Sequence, residues 1–427
     1  MQVFVCVVVL CIALSPALSA AVRRRDLFSP INIFGALYGV SFGLVPLLQL
    51  SGWVSLDHAY AHYDTAFGLR ASILSIVALL VTLLGYYEGH VARMFAEKLP
   101  SLRNRMRSGR MRIIMIGLIL ISAAALAVRM SQIDVQHISE YFIYTNVSAS
   151  GYGHIAFFVT LYLFAGLVAS VGMFRATKGR RRLFVVVFLL ALVLAALSRA
   201  RGQVLLLLFV VMVIYNYRVR RIGAVRMVSA FVGMLIFAFA MGQFRGAQDF
   251  QMTKMNIANS FGGLFAEHQA TAVLLSQYSR ENPAYLYGKI FVEDTAFSLI
   301  PRKIWTTKPI YYGGIVVTDT LIPNRQPGYH YTEGPFGAAF ADLGYIGVFI
   351  AMLMIGWLMR VAYEYLRKNI HHDGVLLWYA LFCFDLWAFL RGGFGFIPVI
   401  MMHTILVVVL YTFIARTFVV QSKMALH

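Results

Sequence analysis

Long apolar stretches alternate with short polar segments along the whole chain. Eleven of these stretches approach the roughly 20 residues that an α-helix needs to cross a bilayer. They lie at about 2–21, 31–50, 70–88, 113–129, 154–174, 183–198, 203–217, 227–244, 336–359, 374–391 and 396–417. The pattern therefore predicts an all-α polytopic membrane protein with about eleven transmembrane helices.

Two parts of this pattern can be interpreted in more than one way. The stretches 183–198 and 203–217 are short and adjoin the polar Ser198-Arg199-Ala200-Arg201-Gly202, so one very long helix is the alternative. We predict two helices, because one would move the basic segment 218–226 to the outside. Residues 2–21 resemble a signal peptide, but the basic residues follow the apolar run instead of preceding it. We therefore expect an uncleaved first helix.

The positive charge is concentrated in every second gap between the apolar stretches. Twenty-four of the 37 Lys and Arg fall in the segments 22–30, 89–112, 175–182, 218–226, 360–373 and 416–427. By the positive-inside rule these segments are cytoplasmic, which predicts a multi-pass membrane protein with its N-terminus outside and its C-terminus in the cytoplasm. The longest segment on the outside is then about 245–335, one large extracytoplasmic loop.

Composition supports the membrane class and limits the partners. The mean hydropathy is +0.74 and charged residues make up 13% of the chain, whereas soluble domains carry about 25%. Topology and anionic membrane lipids account for the formal charge of +19, so we expect no nucleic-acid partner. The three cysteines lie in apolar segments without metal-ligand spacing, and we expect neither a disulfide nor zinc.

The chain divides by position into three parts. Residues 1–244 contain about eight spans, 245–335 form the large periplasmic loop, and 336–427 contain about three spans. The loop carries eight basic and seven acidic residues, so its charges do not serve topology. We predict helices over 264–280 and 284–300, each ended by a proline-containing segment, and an ordered loop with short turns over 309–335.

Several cations are predicted to lie at the outer face, where they suit an anionic ligand. Arginine presents a planar fork of donors that matches phosphate oxygens. The candidates for binding diphosphate or sugar are Arg199, Arg201, Arg245, Arg302, Trp305 and Lys308. The alternative is that these side chains only anchor helix ends at the membrane interface.

Three residues of the outer loop are candidates for acid–base catalysis. Glu267 and His268 are adjacent, and Glu333 lies at the start of a late span. Neighbouring helical residues point about 100° apart, so Glu267 and His268 need not form one dyad. A surface helix with ordinary polar residues, or a helix cap at Glu333, is the alternative. Asp342 is expected to face protein or a cavity, while Asp385, Arg391 and His403 are proton-relay candidates or isolated buried pairs.

Three motifs resemble those of bacterial oligosaccharide repeat-unit polymerases of the Wzy type, also called O-antigen polymerases. Ser198-Arg199-Ala200-Arg201-Gly202 resembles their Ser-Arg element, and Ile300-Pro301-Arg302-Lys303-Ile304-Trp305-Thr306-Thr307-Lys308-Pro309 resembles their Ile-Pro-Arg-x-x-Trp-x-x-Lys-Pro element. The stretch from Glu333-Gly334-Pro335 to Gly347 is similar to the opening of their late helix. The resemblance covers about 180–360 well, and the rest of the chain only as topology.

The resemblance implies an inverting, metal-independent glycosyltransferase of the GT-C type, without a cofactor. Its substrate would be an oligosaccharide linked to undecaprenyl diphosphate, polymerised into O-antigen, capsule or exopolysaccharide. The cations would bind diphosphate, and Glu267, His268 or Glu333 would deprotonate the acceptor hydroxyl. A chain-length regulator and a flippase are the implied partners.

Other functions are compatible with the same sequence. An O-antigen ligase would use a similar donor with a lipid A–core acceptor, and a lipid-linked glycan transporter or flippase would show inverted repeats and broken helices near the bilayer midplane. A non-catalytic scaffold of an export complex is a further alternative.

The basic motif generates a direct test. Arg302→Ala should leave the protein in the membrane but reduce the polymer to single repeat units, because the leaving diphosphate loses a cation. Polymer length in cells, scored beside the parent and a null strain with the membrane level checked, measures this. Polymer of parental length would make Arg302 structural.

Overall fold

The computed structural model describes most of the chain as helix. The described residues are 1–54, 65–99, 108–131, 158–198, 201–243, 265–278, 285–295, 300, 305 and 334–415. Within these ranges there is no β-strand, and the all-α polytopic class predicted from the apolar pattern is confirmed.

Fourteen helices are present in the described ranges. In chain order they are α1 Gln2–Val22, α2 Pro30–Leu50, α3 Thr65–Tyr87, α4 Gly89–Lys98, α5 Ser108–Ser131, α6 Leu161–Arg175, α7 Lys178–Leu197, α8 Arg201–Arg218, α9 Ala224–Gln243, α10 Glu267–Tyr278, α11 Lys289–Thr295, α12 Pro335–Asn369, α13 Asp373–Gly392 and α14 Ile397–Ala415. A π-helical turn, Val40–Leu44, lies inside α2, and a 3-10 turn, Gly393–Phe396, precedes α14.

Each of the eleven predicted spans coincides with a helix. Six helices in the described chain are long and apolar enough to cross a membrane, namely α1, α2, α3, α5, α12 and α13. Shorter apolar helical stretches occur in α6, α8, α9 and α14. Helices α7 and α8 are separate elements that contact each other, so the alternative of one long helix is wrong.

The two helices predicted in the outer loop are both present, and each begins later in the chain than predicted. Helix α10 matches the prediction over 264–280 closely. Helix α11 begins at Lys289 and not at the predicted residue 284, because Tyr287 and Gly288 adopt positive φ and form a turn before it. Helix α12 contains a break at Leu343 and Gly344, where the backbone leaves the helical conformation.

The chain forms two compact units. The first comprises the described parts of Met1–Leu99, Arg220–Lys368 and Tyr379–Met402. In it α3 and α12 meet through glycines: a Cβ added at Gly85 would lie 2.3 Å from the carbonyl oxygen of Leu353, and one at Gly356 would lie 2.1 Å from that of Thr82. Small residues allow such close helix contacts in membranes.

The second unit comprises the described parts of Pro100–Val219, Asn369–Trp378 and His403–His427. Its α6 packs against α5, α7 and α8. Asp373, in the first turn of α13, accepts hydrogen bonds of 2.7 Å from the guanidinium groups of both Arg175 and Arg218. One carboxylate thus neutralises two helix-end cations and also stabilises the start of α13.

This three-residue cluster should contribute to the stability of the second unit. Asp373→Asn should lower the free energy of unfolding by about 1–2 kcal/mol, because two partly exposed charge-assisted hydrogen bonds weaken. Thermal unfolding in detergent measures the change, with Glu88→Gln, at an exposed position, as the control. Equal midpoints for the two variants would contradict the prediction.

Candidate active site

Helix α10 is a buried helix that carries four polar side chains. Glu267, His268, Gln269 and Thr271 are all at most 1% exposed. The alternative of an ordinary surface helix is therefore wrong. The helix packs against α3 and against the π-helical turn of α2, and π-helical turns occur frequently at functional sites. Polar groups buried in this way need hydrogen-bond or ion-pair partners. The partners of each side chain indicate its role.

His268 is fixed to α3. Its Nε2 atom lies 2.8 Å from the hydroxyl oxygen of Ser72, and that hydroxyl donates to the carbonyl of Gly68 at 3.0 Å. Nε2 and the Ser72 hydroxyl share this hydrogen bond, and its direction follows the tautomer of the imidazole. Burial lowers the pKa of His268 to about 4, although a hydrogen bond with the backbone of Gly68 opposes the shift. The neutral imidazole thus holds α10 in place, and with a pKa of about 4 it is a weak base.

Glu267 has a different environment from its neighbour. Its carboxylate is 0% exposed, and within the described chain neither oxygen has a hydrogen bond of standard geometry. Among the described residues the cation paired with it is Arg391, whose Nε atom lies 3.6 Å from Oε1. Burial raises the pKa of the Glu267 carboxyl to about 7, although the positive charge of Arg391 and, more weakly, the nearby hydroxyl of Ser41 help to lower it. A carboxyl that titrates near neutrality is suited to proton transfer.

Arg391 lies in the last turn of α13. From the sequence it was a candidate for a proton relay or for an isolated buried pair. Its side chain is 32% exposed, so one end of the ion pair can be reached from outside. The guanidinium also lies over the ring of Trp387, 5.9 Å from its centroid. Arg391 was not among the residues predicted to bind substrate. The signal for it was an arginine within an apolar segment, where charged residues mark functional sites by default.

The start of α12 closes the site from another side. The N–H of Gly334 donates to the carbonyl of Arg391 at 3.1 Å. Gly334 has φ +71°, and a Cβ added there would lie 3.4 Å from the Cβ of Glu267. The positive φ therefore favours glycine at this position, and an added Cβ would be in close contact with α10. The small-residue opening noted in the sequence is the surface against which α10 packs.

Asp342 joins the second outer helix to α12. Its two carboxylate oxygens accept hydrogen bonds from the backbone N–H groups of Ile290 and Phe291, at 2.9 and 2.8 Å. These N–H groups lie in the first turn of α11, which has no partners for them within the helix. The expectation that Asp342 faces protein is confirmed. Its role is to hold α11 next to the break in α12.

The structure describes only part of the predicted site. Glu267 and His268 are described in full, and Trp305 is half-buried and has interactions with its surroundings. The backbone of Arg201 begins α8, but its side chain lies outside the described part. The predicted site residues that lie wholly outside the described ranges are Arg199, Arg245, Arg302, Lys308 and Glu333. Their participation stays a prediction.

Together, these features define an all-α membrane protein with a buried carboxylate–guanidinium pair beside a locked histidine. Residues 71–403, more than three quarters of the chain, match the family described as Putative O-antigen polymerase, and the chain belongs to this family. The matched range includes Glu267, His268 and Arg391.

Two curated relatives give the same indication. The chain is 24% identical over 206 residues to an O-antigen polymerase of Salmonella typhimurium (strain LT2) and, with the same values, to one of Salmonella typhi. Each match covers 46% of this chain and 46% of the relative, so the chain spans about half the length of the relatives it matches. No solved structure matches.

The two buried ionisable residues of α10 should make the stability of the fold depend on pH in opposite senses. Glu267 has a higher pKa in the folded state, about 7, than its ordinary 4.5. The stability it contributes is therefore complete below pH 4.5 and is lost as the pH rises through 7. His268 has a lowered pKa, so its contribution is lost as the pH falls from 6.5 toward 4.

Glu267→Gln isolates the first effect, since both proteins retain His268. The variant should become more stable relative to the parent as the pH rises from 4.5 to 7, by about 3 kcal/mol at most. Unfolding midpoints in detergent across this pH range measure the difference. A difference that does not change with pH would mean that the Glu267 carboxyl titrates normally.

Proposed function

We propose that this protein polymerises oligosaccharide repeat units linked to undecaprenyl diphosphate, at the periplasmic face of the bacterial inner membrane. The product would be an O-antigen, capsule or exopolysaccharide. Family membership supports the reaction class. The observation that carries the assignment of the site is the fully buried Glu267 carboxylate, which lies 3.6 Å from Arg391 and has no hydrogen bond of standard geometry in the described chain.

The proposed reaction is a single displacement at the anomeric carbon of the donor glycan. A hydroxyl oxygen of the acceptor unit forms the new bond to this carbon, while the carbon–oxygen bond to the diphosphate breaks. Undecaprenyl diphosphate leaves with the electron pair, and the hydroxyl proton passes to Glu267. One displacement inverts the anomeric configuration. The leaving group already carries its charge and needs no proton, so one base and several cations suffice without a metal.

Glu267 is preferred over the other two predicted bases. His268 is hydrogen-bonded to Ser72 through Nε2, and its pKa of about 4 makes it a weaker base than Glu267. Glu333 lies outside the described residues and stays a candidate. Glu267 combines a pKa near neutrality with a neighbouring cation that keeps a fraction of it ionised at pH 7. These properties match a general base better than a structural carboxylate, which would be fully hydrogen-bonded.

Access to the carboxylate requires a movement on substrate binding, because Glu267 is fully buried. Gly334 is the natural hinge, since it adjoins Glu267 and has the backbone freedom of glycine at the start of α12. Arg391 is partly exposed and can meet an arriving diphosphate first. Arg199, Arg201, Arg245, Arg302 and Lys308 would supply further positive charge around the diphosphate, and Trp305 would contact sugar.

A transporter is the alternative from another class, and one observation bears on it. Transporters bind substrate at broken helices, and α12 is broken at Gly344. However, the ring of Tyr285 lies against this break, with its Cζ atom 2.9 Å from the position of an added Cβ. The break is filled by protein and serves to dock the segment before α11. We therefore favour catalysis over transport.

The proposed base can be tested without disrupting the fold. Glu267→Gln keeps the volume and removes the buried charge, so the protein should stay in the membrane while polymer length falls to single repeat units, a loss of at least about 100-fold in rate. Glu267→Asp should retain part of the activity. Polysaccharide length on gels of cells expressing each variant measures the outcome.

The control is Glu88→Gln, an exposed carboxylate outside the site. Polymer of parental length in Glu267→Gln would overturn the assignment of the base. Loss of single units as well as polymer would instead indicate ligation, because a ligase is needed to attach even one unit. A chain-length regulator and a flippase, which the family implies as partners, should be present in the test strain.

A further inference from the structure

A second cluster of cations surrounds a cavity of about 430 Å³ in the first compact unit. Its walls come from the ends of α1, α2, α3 and α12. Four arginines line it: Arg25, Arg221, Arg360 and Arg367. They belong to three of the six basic segments of the sequence, 22–30, 218–226 and 360–373. Topological charge needs only to lie on the correct side of the membrane, so its convergence on one cavity requires another reason.

The cavity has an excess of positive charge. Glu364 pairs with Arg360 at 2.7 Å and with Arg367 at 3.4 Å. Asp26 also lines the cavity, where it accepts hydrogen bonds from the N–H of Phe28 and the hydroxyl of Tyr363. Four guanidinium groups and two carboxylates leave a net charge of +2. Arg25 and Arg221 have no carboxylate partner within the described residues.

The backbone beside the cavity is strained. Arg24 has φ +48° in the turn that ends α1, where the N–H of Arg25 donates to the carbonyl of Ala20 at 2.8 Å. Helices usually place glycine at such a position, because other residues incur a steric cost there. The turn brings Arg25 to the wall of the cavity, and Arg221 donates to the carbonyl of Arg24 at 3.4 Å. Strain of this kind is found where a functional group must be positioned.

We propose that this cavity binds the phosphate of an anionic phospholipid. Basic pockets between transmembrane helices bind phospholipid head groups in this way, and a net charge of +2 matches one or two phosphodiester groups. A lipid fits better than free phosphate because Leu18 and Val22, which flank the cavity-lining Ser19 and Ala20 on α1, are 60% and 84% exposed. They offer an apolar surface for acyl chains directly beside the charged cavity.

The test compares two double variants that lose the same charge. Arg25→Gln with Arg221→Gln removes the two cations that have no carboxylate partner, so no ion pair is broken. Arg180→Gln with Arg181→Gln removes two exposed cations of α7 outside the cavity. The purified full chain in detergent is titrated with phosphatidylglycerol or phosphatidylcholine, and bound lipid is counted by native mass spectrometry. No enzymatic activity is needed, so the result is independent of the proposed polymerase function.

Phosphatidylglycerol affinity should fall about thirtyfold in the cavity variant. Each cation near an anionic head group contributes about 1 kcal/mol to binding, and the variant loses two cations. It should stay unchanged in the α7 variant, and phosphatidylcholine binding should not differ among the proteins. The single variant Arg25→Gln should lose about fivefold, which keeps the test valid if the double variant unfolds.

Two results would overturn the proposal. Equal loss of phosphatidylglycerol in both double variants would mean general attraction of the basic face for anionic lipid. The second result would come from a titration with inorganic phosphate. If phosphate binds the parent but not the cavity variant, while phosphatidylglycerol binds both equally, the cavity is a site for a soluble anion and not for a lipid.

Discussion

The cost of burying an ionisable group controls the organisation of the candidate site. Helix α10 places four polar side chains in the interior, and three of them have direct hydrogen bonds: His268 to Ser72, Gln269 to Gln49, and Thr271 to the carbonyl of Glu267. The carboxylate oxygens of Glu267 have no hydrogen bond of standard geometry in the described chain, and the Ser41 hydroxyl interacts only weakly with them. A protein gains no stability from an arrangement of this kind, so function is the simplest reason for it.

The remaining contacts of α10 serve to hold this one carboxylate in place. The helix is fixed on one side to α3 through His268, and on another to α2 through Gln269. The aromatic ring of Phe42, in the π-helical turn, lies against His268 with ring centroids 6.5 Å apart. The glycines at the start of α12 allow the closest approach on a third side. A reactive group held by locked neighbours has the positional precision that catalysis requires.

The fold was more predictable than the site, for physical reasons that individual residues show. Apolar length alone located the spans, because hydrocarbon thickness sets helix length. The burial of α10 was not predictable, since its polar composition resembles that of a surface helix and only tertiary packing distinguishes the two. Glu267 and His268 were found together because they are adjacent. Arg391 is far from them in sequence, and no spacing rule connects it to Glu267. The later start of α11 depends on a turn at Tyr287, a residue that rarely adopts positive φ.

The two cation clusters of the first unit differ in charge balance, and the difference is informative. At α10 the described charges are one carboxylate and one guanidinium, which cancel. In the proposed reaction the diphosphate would therefore need additional cations, and the outer-loop arginines predicted from sequence are the candidates for this role. The cavity at the other cluster has a net charge of +2 with no partner of its own in the described chain. A permanently charged cavity suits a ligand that is always present in the surrounding bilayer, whereas a balanced pair suits one that arrives, reacts and leaves.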